Sequence, residues 1–232
     1  MGILKKLRKE KAMINSFFSK HFPFWLHLSE NERQFLINNT YTESYKKGET
    51  LHDGGECSGL FVVASGRLRV YILSEDGKEI TLYRLNSGES CMLSASCVIQ
   101  SITFDVQVSA EEDTVCYRIS PIAFGEILEK TPEVKIYALE TTVSRFSDVM
   151  WIMQQILFMS MDKRLAIFLL EESQSTGSDF IEITHEQIAR HLGTAREVIT
   201  RILKHLSNDG VISLTRGGIQ ITDKVKIRKI AY

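Results

Sequence analysis

The stretch that most constrains the fold is residues 184–206, which contains two short amphipathic segments separated by one glycine. Thr184 and Gln187 have the spacing of a capping box, so a helix is predicted to begin there. Gly193 supplies the turn, because glycine adopts unusual backbone conformations at little cost. A second helix is predicted over about residues 194–207. Its apolar side chains recur three and four residues apart, which places them on one inner face: Val198, Ile199, Ile202, Leu203 and Leu206.

The opposite face of the second helix has the chemistry that recognises DNA bases. It carries Arg196, Glu197, Thr200, Arg201 and Lys204. An arginine guanidinium can donate two bonds to guanine, a glutamate can accept from the cytosine amino group, and a threonine can bond a base or contact a thymine methyl. Because this helix follows a tight turn, the pattern predicts a helix-turn-helix with its second helix in the major groove.

Two alternatives for this face involve no DNA. Glu197 and Arg201 could form an ion pair one turn apart, and Thr194 with Glu197 has capping-box spacing. The residues that follow favour DNA, because a predicted hairpin carries Arg216 at its tip, where a cation would meet phosphate. Its two strands are predicted at Val211–Leu214 and Ile219–Thr222.

The run GTAREVITRILKHLSNDGVI resembles, over its full length, the signature of the winged-helix output domain of the Crp–Fnr transcription regulators. The resemblance implies base contacts by Arg196, Glu197 and Arg201, and a palindromic DNA site with TGA-like half-sites. Thr200 lies where the Fnr branch usually has a serine contact. Ala195 replaces the common serine at the helix cap, which leaves the cap open between Thr194 and Ala195. The predicted DNA-contacting residues are Thr184, His185, Thr194, Arg196, Glu197, Thr200, Arg201, Lys204 and Arg216.

The strand pattern over residues 41–119 predicts a β-sandwich or jelly-roll barrel. Glycines recur between short runs rich in β-branched and aromatic residues, as in all-β folds with tight turns. The predicted strands are Leu60–Val63, Leu68–Leu73, Ile80–Leu85, Val106–Ala110 and Thr114–Ile119. The run SGRLRVYILSEDGKEITLYRLNSGE is similar to the cyclic-nucleotide-binding β-roll that forms the sensor of the same family.

The predicted sensor pocket departs from the family pattern. Such sensors hold the nucleotide in a short cassette. A Gly-Glu pair bonds the ribose hydroxyl through its carboxylate, and an Arg-Ser or Arg-Thr pair further along binds the phosphate. Ungapped matching places Met92-Leu93 at the first pair and Phe104-Asp105 at the second. An aspartate repels an anion that arginine would bind, and no Arg or Lys lies between Cys91 and Ala110. The sequence therefore predicts that no cyclic nucleotide binds in the usual way.

The pocket is then either vestigial or specific for another small molecule. Its predicted lining is Met92, Leu93, Ser94, Phe104 and Asp105. This lining suits an uncharged or aromatic effector. Cys91 and Cys97 could instead form a redox pair, although free cysteines are more often small buried hydrophobic residues. We expect no cofactor and no metal.

A long helix is predicted after Thr131-Pro132, since proline favours the first helical position. Apolar residues then alternate spacings of three and four, as in the seam of a coiled-coil dimer. The predicted dimer interface is Ile136, Leu139, Val143, Phe146, Met150, Met153 and Leu157. A single buried helix that is apolar all round is the alternative. The predicted domains are a lead-in and β-roll at 1–130, a dimerisation helix at 131–160 and a winged helix-turn-helix at 161–232.

Composition describes a globular chain with a basic end. The 232 residues are 44% hydrophobic and 25% charged, as in soluble domains. Residues 181–232 hold nine Lys and Arg against five Asp and Glu, whereas the whole chain has a net charge of -1. A basic end on an acidic body is consistent with nucleic-acid binding.

No apolar run approaches the roughly 18–20 residues of a membrane span, and the basic N-terminus lacks the apolar core of a signal peptide. The four cysteines form no CxxC pair, which is typical of reduced cytosolic thiols. We therefore expect a cytoplasmic protein without a membrane partner, and a solvated, partly helical N-terminal lead-in.

These patterns predict an α+β protein, a homodimeric, sequence-specific DNA-binding transcription regulator controlled by a signal in the β-roll. Its expected partners are double-stranded DNA, RNA polymerase and an unidentified small-molecule effector. The alternatives are a regulatory module that binds ligand but not DNA, and a thiol-redox regulator. An enzyme is not expected, because the sequence has no Walker loop, no paired metal-ligand motif and no Gly-x-Ser-x-Gly elbow.

Overall fold

The structure, a computed structural model, describes residues 2–54, 58–92 and 106–232. The chain forms two compact units. The first comprises the chain up to Ile72 together with Leu82–Asp148, and the second comprises Leu73–Thr81 together with Val149–Tyr232. In the ranges that the structure describes, no helix combines the length and apolarity that crossing a bilayer requires. The sequence-based division at residues 130 and 160 stays a prediction.

The predicted β-rich region forms two four-stranded sheets. The described strands are β1 (Thr40–Tyr45), β2 (Thr50–Asp53), β3 (Leu60–Ser65), β4 (Leu68–Leu73), β5 (Glu79–Leu85), β6 (Ser90–Cys91), β7 (Gln107–Ala110) and β8 (Thr114–Ile119). One sheet has the order β1-β8-β3-β6 and the other the order β2-β7-β4-β5. Gly66 shows why a glycine is needed between β3 and β4: its φ is +88°, and a Cβ would lie 2.5 Å from Thr114 Oγ1. The double-sheet architecture confirms the predicted sandwich class.

Helices pack on this β-roll at both of its chain ends. They are α1 (Gly2–His21), a 3-10 turn (Pro23–His27), α2 (Glu30–Asn38), α3 (Pro121–Lys130) and α4 (Pro132–Phe158). Ser29 and Glu32 form a complete capping box at the start of α2, which fixes the first residue of this helix. The long helix begins at Pro132, as predicted, and its Val134 and Ala138 are buried in the core of the first unit.

The expectation of a solvated N-terminal lead-in is wrong for the second half of α1. Ile14 and Phe18 are fully buried, and the Phe18 ring contacts Trp25 edge-on at 5.4 Å between centroids. Their spacing of four residues places them on one helix face, where they extend the apolar core. A charged run, Lys5 to Lys9, precedes these two residues and is exposed along its whole length. The prediction extended that exposure to the apolar residues that follow.

The second unit contains the predicted helix-turn-helix and hairpin. Its elements in this part of the chain are α5 (Met161–Thr176), β9 (Phe180–Ile181), α6 (His185–Leu192), α7 (Arg196–Asn208), β10 (Ile212–Thr215), β11 (Gly218–Ile221) and α8 (Lys224–Ala231). The strands form an antiparallel sheet in the order β10-β11-β9. One apolar core joins α5, α6, α7 and α8. The sequence did not predict β9 or α8.

Candidate nucleic-acid interface

The start of α6 is fixed by the predicted capping box. Thr184 Oγ1 accepts a hydrogen bond from the Gln187 backbone N–H at 3.2 Å, and Gln187 Oε1 accepts one from the Thr184 N–H at 2.9 Å. These two bonds satisfy two of the backbone donors that a helix N-terminus leaves unpaired. The first helix of the motif therefore begins at a defined residue, with His185 at its first position.

The turn between α6 and α7 depends on Gly193. Its φ is +67°, a left-handed conformation that side chains rarely adopt, and an added Cβ would lie 2.5 Å from Ile80 Cγ1. The Gly193 N–H donates to Ala189 O, which ends the helix. Glycine therefore meets both a backbone requirement and a packing requirement at this turn.

A buried arginine that the sequence reasoning missed also supports the turn. Arg164 on α5 donates from Nη2 to Leu192 O at 2.7 Å, and only 8% of its surface is exposed. Burial lowers its pKa. A cation at the C-terminal end of α6 satisfies a free carbonyl and complements the helix dipole. No local signal marks this residue, because it lies 28 positions from its partner.

Helix α7 begins at Arg196, with Ala195 as its N-cap residue and no side-chain cap bond. The predicted start at Thr194 was two residues early, and the open cap assignment falls on Ala195. Thr194 is therefore not the N-cap partner that a capping box with Glu197 would need. That alternative for Glu197 is wrong.

The outer face of α7 forms one shallow strip on the surface. Arg196, Glu197, Arg201 and Lys204 are exposed, and Thr200 is half-buried among them. His205 and Asn208 extend this strip beyond the predicted set. Within the described residues, no ion pair joins Glu197 to Arg201. The alternative of an ion pair one turn apart therefore also lacks support. The inner residues Ile199, Ile202, Leu203 and Leu206 are buried as predicted.

Thr200 differs from its neighbours, because its hydroxyl is already hydrogen-bonded. Thr200 Oγ1 donates to Arg196 O at 2.9 Å, and His185 Nδ1 lies 2.9 Å from the same oxygen. A hydroxyl has one proton. Since that proton goes to Arg196 O, His185 must be the donor. Partial burial lowers the pKa of His185, and the charge of Arg196 adds to this effect.

The predicted wing is a tight hairpin. Thr215 pairs with Gly218, so the turn consists of Arg216 and Gly217, and Gly217 has φ +99°. Both strands are displaced by one residue from their predicted bounds. Arg216 is exposed at the tip. A groove between the wing and the two helices is lined by Thr184, His185, Glu186, Arg196, Thr215 and Gly217.

The predicted dimer residues are exposed on α4. All seven side chains have between 44% and 64% of their surface accessible in the single chain. The structure therefore contradicts the alternative of a single helix buried all round. Exposed apolar side chains at coiled-coil spacing are typical of a contact surface.

The predicted sensor residues are only partly described. Cys91 and Met92 are fully buried. Leu93, Ser94, Cys97, Phe104 and Asp105 lie outside the described residues. Within the described part of the chain, no group of His, Cys, Asp or Glu has the arrangement of a metal site.

An arginine of the first unit that the sequence reasoning missed has its positive charge balanced by two carboxylates. Arg145 on α4 bonds Glu89 at 2.7 Å and Asp148 at 3.0 Å, and its guanidinium lies 4.9 Å from the centroid of the Tyr83 ring. In the described residues of the first unit, this cation is therefore held by two carboxylates. Its partners lie 56 and 3 positions away, so only the second of these pairs has a local spacing signal.

Two family models match the chain. A model described as a Crp-like helix-turn-helix domain matches residues 163–230, and one described as a cyclic nucleotide-binding domain matches residues 42–131. A Crp/Fnr-family protein from Eubacterium rectale, known from its crystal structure, is 44% identical. Its TM-score is 0.87, and the match covers 91% of this chain and 99% of that one.

Curated relatives are more distant but match over most of their length. The cyclic AMP receptor protein of Thermus thermophilus is 22% identical over 214 residues, which cover 92% of this chain and 98% of the relative. The transcriptional activator protein Anr of Pseudomonas aeruginosa is 26% identical over 195 residues, which cover 80% of this chain and 78% of the relative.

Proposed function

We propose, from the premise that this chain belongs to the Crp/Fnr family of transcription regulators, that two copies bind one palindromic DNA site through α7. The chain is a transcription regulator of this type and not an enzyme. The proposal concerns how it recognises DNA and what controls that recognition. RNA polymerase is the further protein partner that we propose for the DNA-bound dimer.

The outer face of α7 is the observation that carries this proposal. Arg196, Glu197 and Arg201 are exposed on a helix that follows a tight turn. In the described structure none of the three has a side-chain ion pair or caps a helix, so their charged groups are available for base edges. Two arginines can each bond a guanine, and a glutamate can accept from a cytosine amino group. TGA-like half-sites are consistent with this set.

Contacts to the DNA backbone would come from the residues that surround this face. Arg216 at the wing tip and Lys204 at the far end of the strip are exposed cations. Thr184, His185 and Thr194 lie at the start of α6 and in the turn, where backbone N–H groups of a helix N-terminus favour phosphate. Such contacts would fix the register of α7 without specifying sequence.

The exposed residues of α4 support a homodimer. A helix-turn-helix dimer contacts two half-sites about 34 Å apart, one turn of DNA. A parallel pair of α4 helices would bury the seven seam residues and set that spacing. The signal sensed in the β-roll would act by favouring the dimer that can bind DNA.

Binding to DNA is the first test. We expect the purified protein to select a palindrome from a random duplex pool, and its affinity to fall by about 10³–10⁵ between 50 and 200 mM salt if 6–10 phosphates are contacted. The measurement is fluorescence anisotropy on the selected duplex, with a scrambled duplex of equal length as control. Equal affinity for both duplexes would contradict sequence-specific recognition.

The signal that we propose is not a cyclic nucleotide bound in the usual way. The sequence places Phe104-Asp105 where an Arg-Ser or Arg-Thr pair would bind phosphate. The described Arg145 does not replace that cation, since Glu89 and Asp148 already bond it. An uncharged or aromatic small molecule remains our preferred effector. A redox role for Cys91 and Cys97 gains no support from the burial of Cys91, because a reactive thiol is normally accessible.

Calorimetric titration tests this proposal. We expect cAMP and cGMP each to show no heat of binding at protein concentrations that detect Kd values up to about 100 μM, which corresponds to about −5.5 kcal/mol. The matched control is the variant Asp105→Ser, which removes the repelling carboxylate but adds no cation, and which should also show no binding. Micromolar binding of either nucleotide to the unmodified protein would contradict the prediction.

A further inference from the structure

Thr200 is the one residue of the outer strip whose polar atom has two partners in the described structure. Its hydroxyl proton is donated to Arg196 O, and its oxygen accepts from His185 Nδ1, each at 2.9 Å. Arg196 belongs to α7 itself, whereas His185 is the first residue of α6. The oxygen is therefore held between the backbone of its own helix and the neighbouring helix.

These two bonds limit what the Thr200 hydroxyl can do at a base edge. Thymine O4, guanine O6 and guanine N7 are all acceptors, so a side chain must donate a proton to bond them. Thr200 has only one proton to give, and Arg196 O receives it. A hydroxyl bond from Thr200 to thymine or guanine would require that bond to break.

Toward thymine, the methyl group is the part of Thr200 that remains for contact. The hydroxyl oxygen keeps one lone pair, which can accept only from the amino group of adenine or cytosine. Thr200 is half-buried in the strip between Glu197, Arg201 and Lys204, where a base edge would lie against α7. The thymine C5-methyl is the apolar group that the major groove presents, and threonine methyls contact it.

We infer that Thr200 recognises thymine through a methyl–methyl contact, and that His185 is the positioning residue that holds the hydroxyl away from the base. This inference rests on the proposed function, and it assigns a base preference to a position that the resemblance marked only as a contact. His185 thereby contributes to base recognition through Thr200, in addition to any phosphate contact of its own.

Uracil substitution in the selected duplex isolates the methyl group. Each thymine of one half-site is replaced in turn by deoxyuridine, which removes only the C5-methyl, and the affinity ratio of the two duplexes is measured for each protein variant. For the unmodified protein we expect one position at which the ratio is about fourfold, the effect of burying one methyl group. The ratio compares two duplexes on one protein sample, so a partly unfolded sample does not change it.

Two substitutions at Thr200 separate the methyl from the hydroxyl. Thr200→Val keeps a methyl at that place and should keep the ratio of about fourfold, whereas Thr200→Ser removes the methyl and should lower the ratio to about one. If Thr200→Ser keeps the ratio, or if Thr200→Val loses it, the methyl–methyl contact is wrong.

His185 is tested with a conservative pair. Asparagine can present an N–H close to the place of His185 Nδ1, so His185→Asn should keep the ratio, whereas His185→Ala should reduce it. An unchanged ratio in His185→Ala would overturn the positioning role. These outcomes differ from a failure of the proposed function, in which the unmodified protein would select no duplex at all.

Discussion

Replacing Val143 by glutamate is expected to convert the protein to a monomer and to lower its affinity for the palindromic duplex by about 10²–10⁴-fold, which is the gain that linking two binding modules provides. Val143 lies at the middle of the exposed seam on α4, with 63% of its surface accessible. In a parallel pair the two glutamates would face one another across the dimer axis. The two carboxylates would then be desolvated next to one another, which is strongly unfavourable.

The exposure of Val143 in the single chain separates an effect on dimerisation from an effect on folding. Because Val143 is not buried in its own chain, glutamate should leave the fold of the single chain intact, which circular dichroism and thermal unfolding would show. Ser144→Glu is the matched control, since it adds the same charge to the neighbouring exposed position outside the seam. Sedimentation equilibrium gives the oligomeric state. A Val143→Glu protein that remains dimeric and binds DNA normally would show that α4 is not the interface.

Replacing Arg201 by alanine is expected to cost about 1–3 kcal/mol of binding to the selected site and to relax the preference at one base position. Arg201 is exposed on the outer face of α7, and its guanidinium has no ion-pair partner in the described residues. Its loss should therefore leave stability almost unchanged. The expected loss comes from the bidentate contact to guanine, which is the commonest specific contact of arginine in the major groove.

Arg216→Ala is the matched comparison for this prediction. Both residues are exposed arginines of the same unit, but Arg216 lies at the wing tip, where it would meet phosphate. Its removal should weaken binding about equally for all sequences and reduce the salt slope by about one per subunit. A repeated selection with each variant decides between the roles. If Arg201→Ala selects the same palindrome with the same stringency, Arg201 does not contact a base.

The sequence predicted features that depend on residues a few positions apart. The capping box at Thr184 and the turn at Gly193 are both local, and the structure confirms them. The seam of α4 was predicted from spacing, and its side chains are exposed in the single chain. That they form a dimer interface stays a prediction. Errors of one or two residues occurred at element ends, where a cap such as Ala195 has no side-chain signal.

The part of the core formed by α1 was not predicted from the sequence. Ile14 and Phe18 follow a run of lysines and arginines, so a charged lead-in was predicted to be solvated. Burial of Phe18 against Trp25 shows that the tertiary contacts of the aromatic residues determine the position of this helix. A sequence gives the apolar stripe, but not the surface that covers it.

What the sequence by itself determined is the order of the modules and the inner face of α7, since helical periodicity and capping depend on neighbours along the chain. What only the tertiary structure decided is how polar atoms are paired. Arg164 meets Leu192 O across 28 positions, and His185 meets Thr200 across 15. Such bonds form because packing brings two helices together, and no local pattern encodes which donor will meet which acceptor. That pairing determines which atoms of α7 remain available for the proposed contacts with DNA.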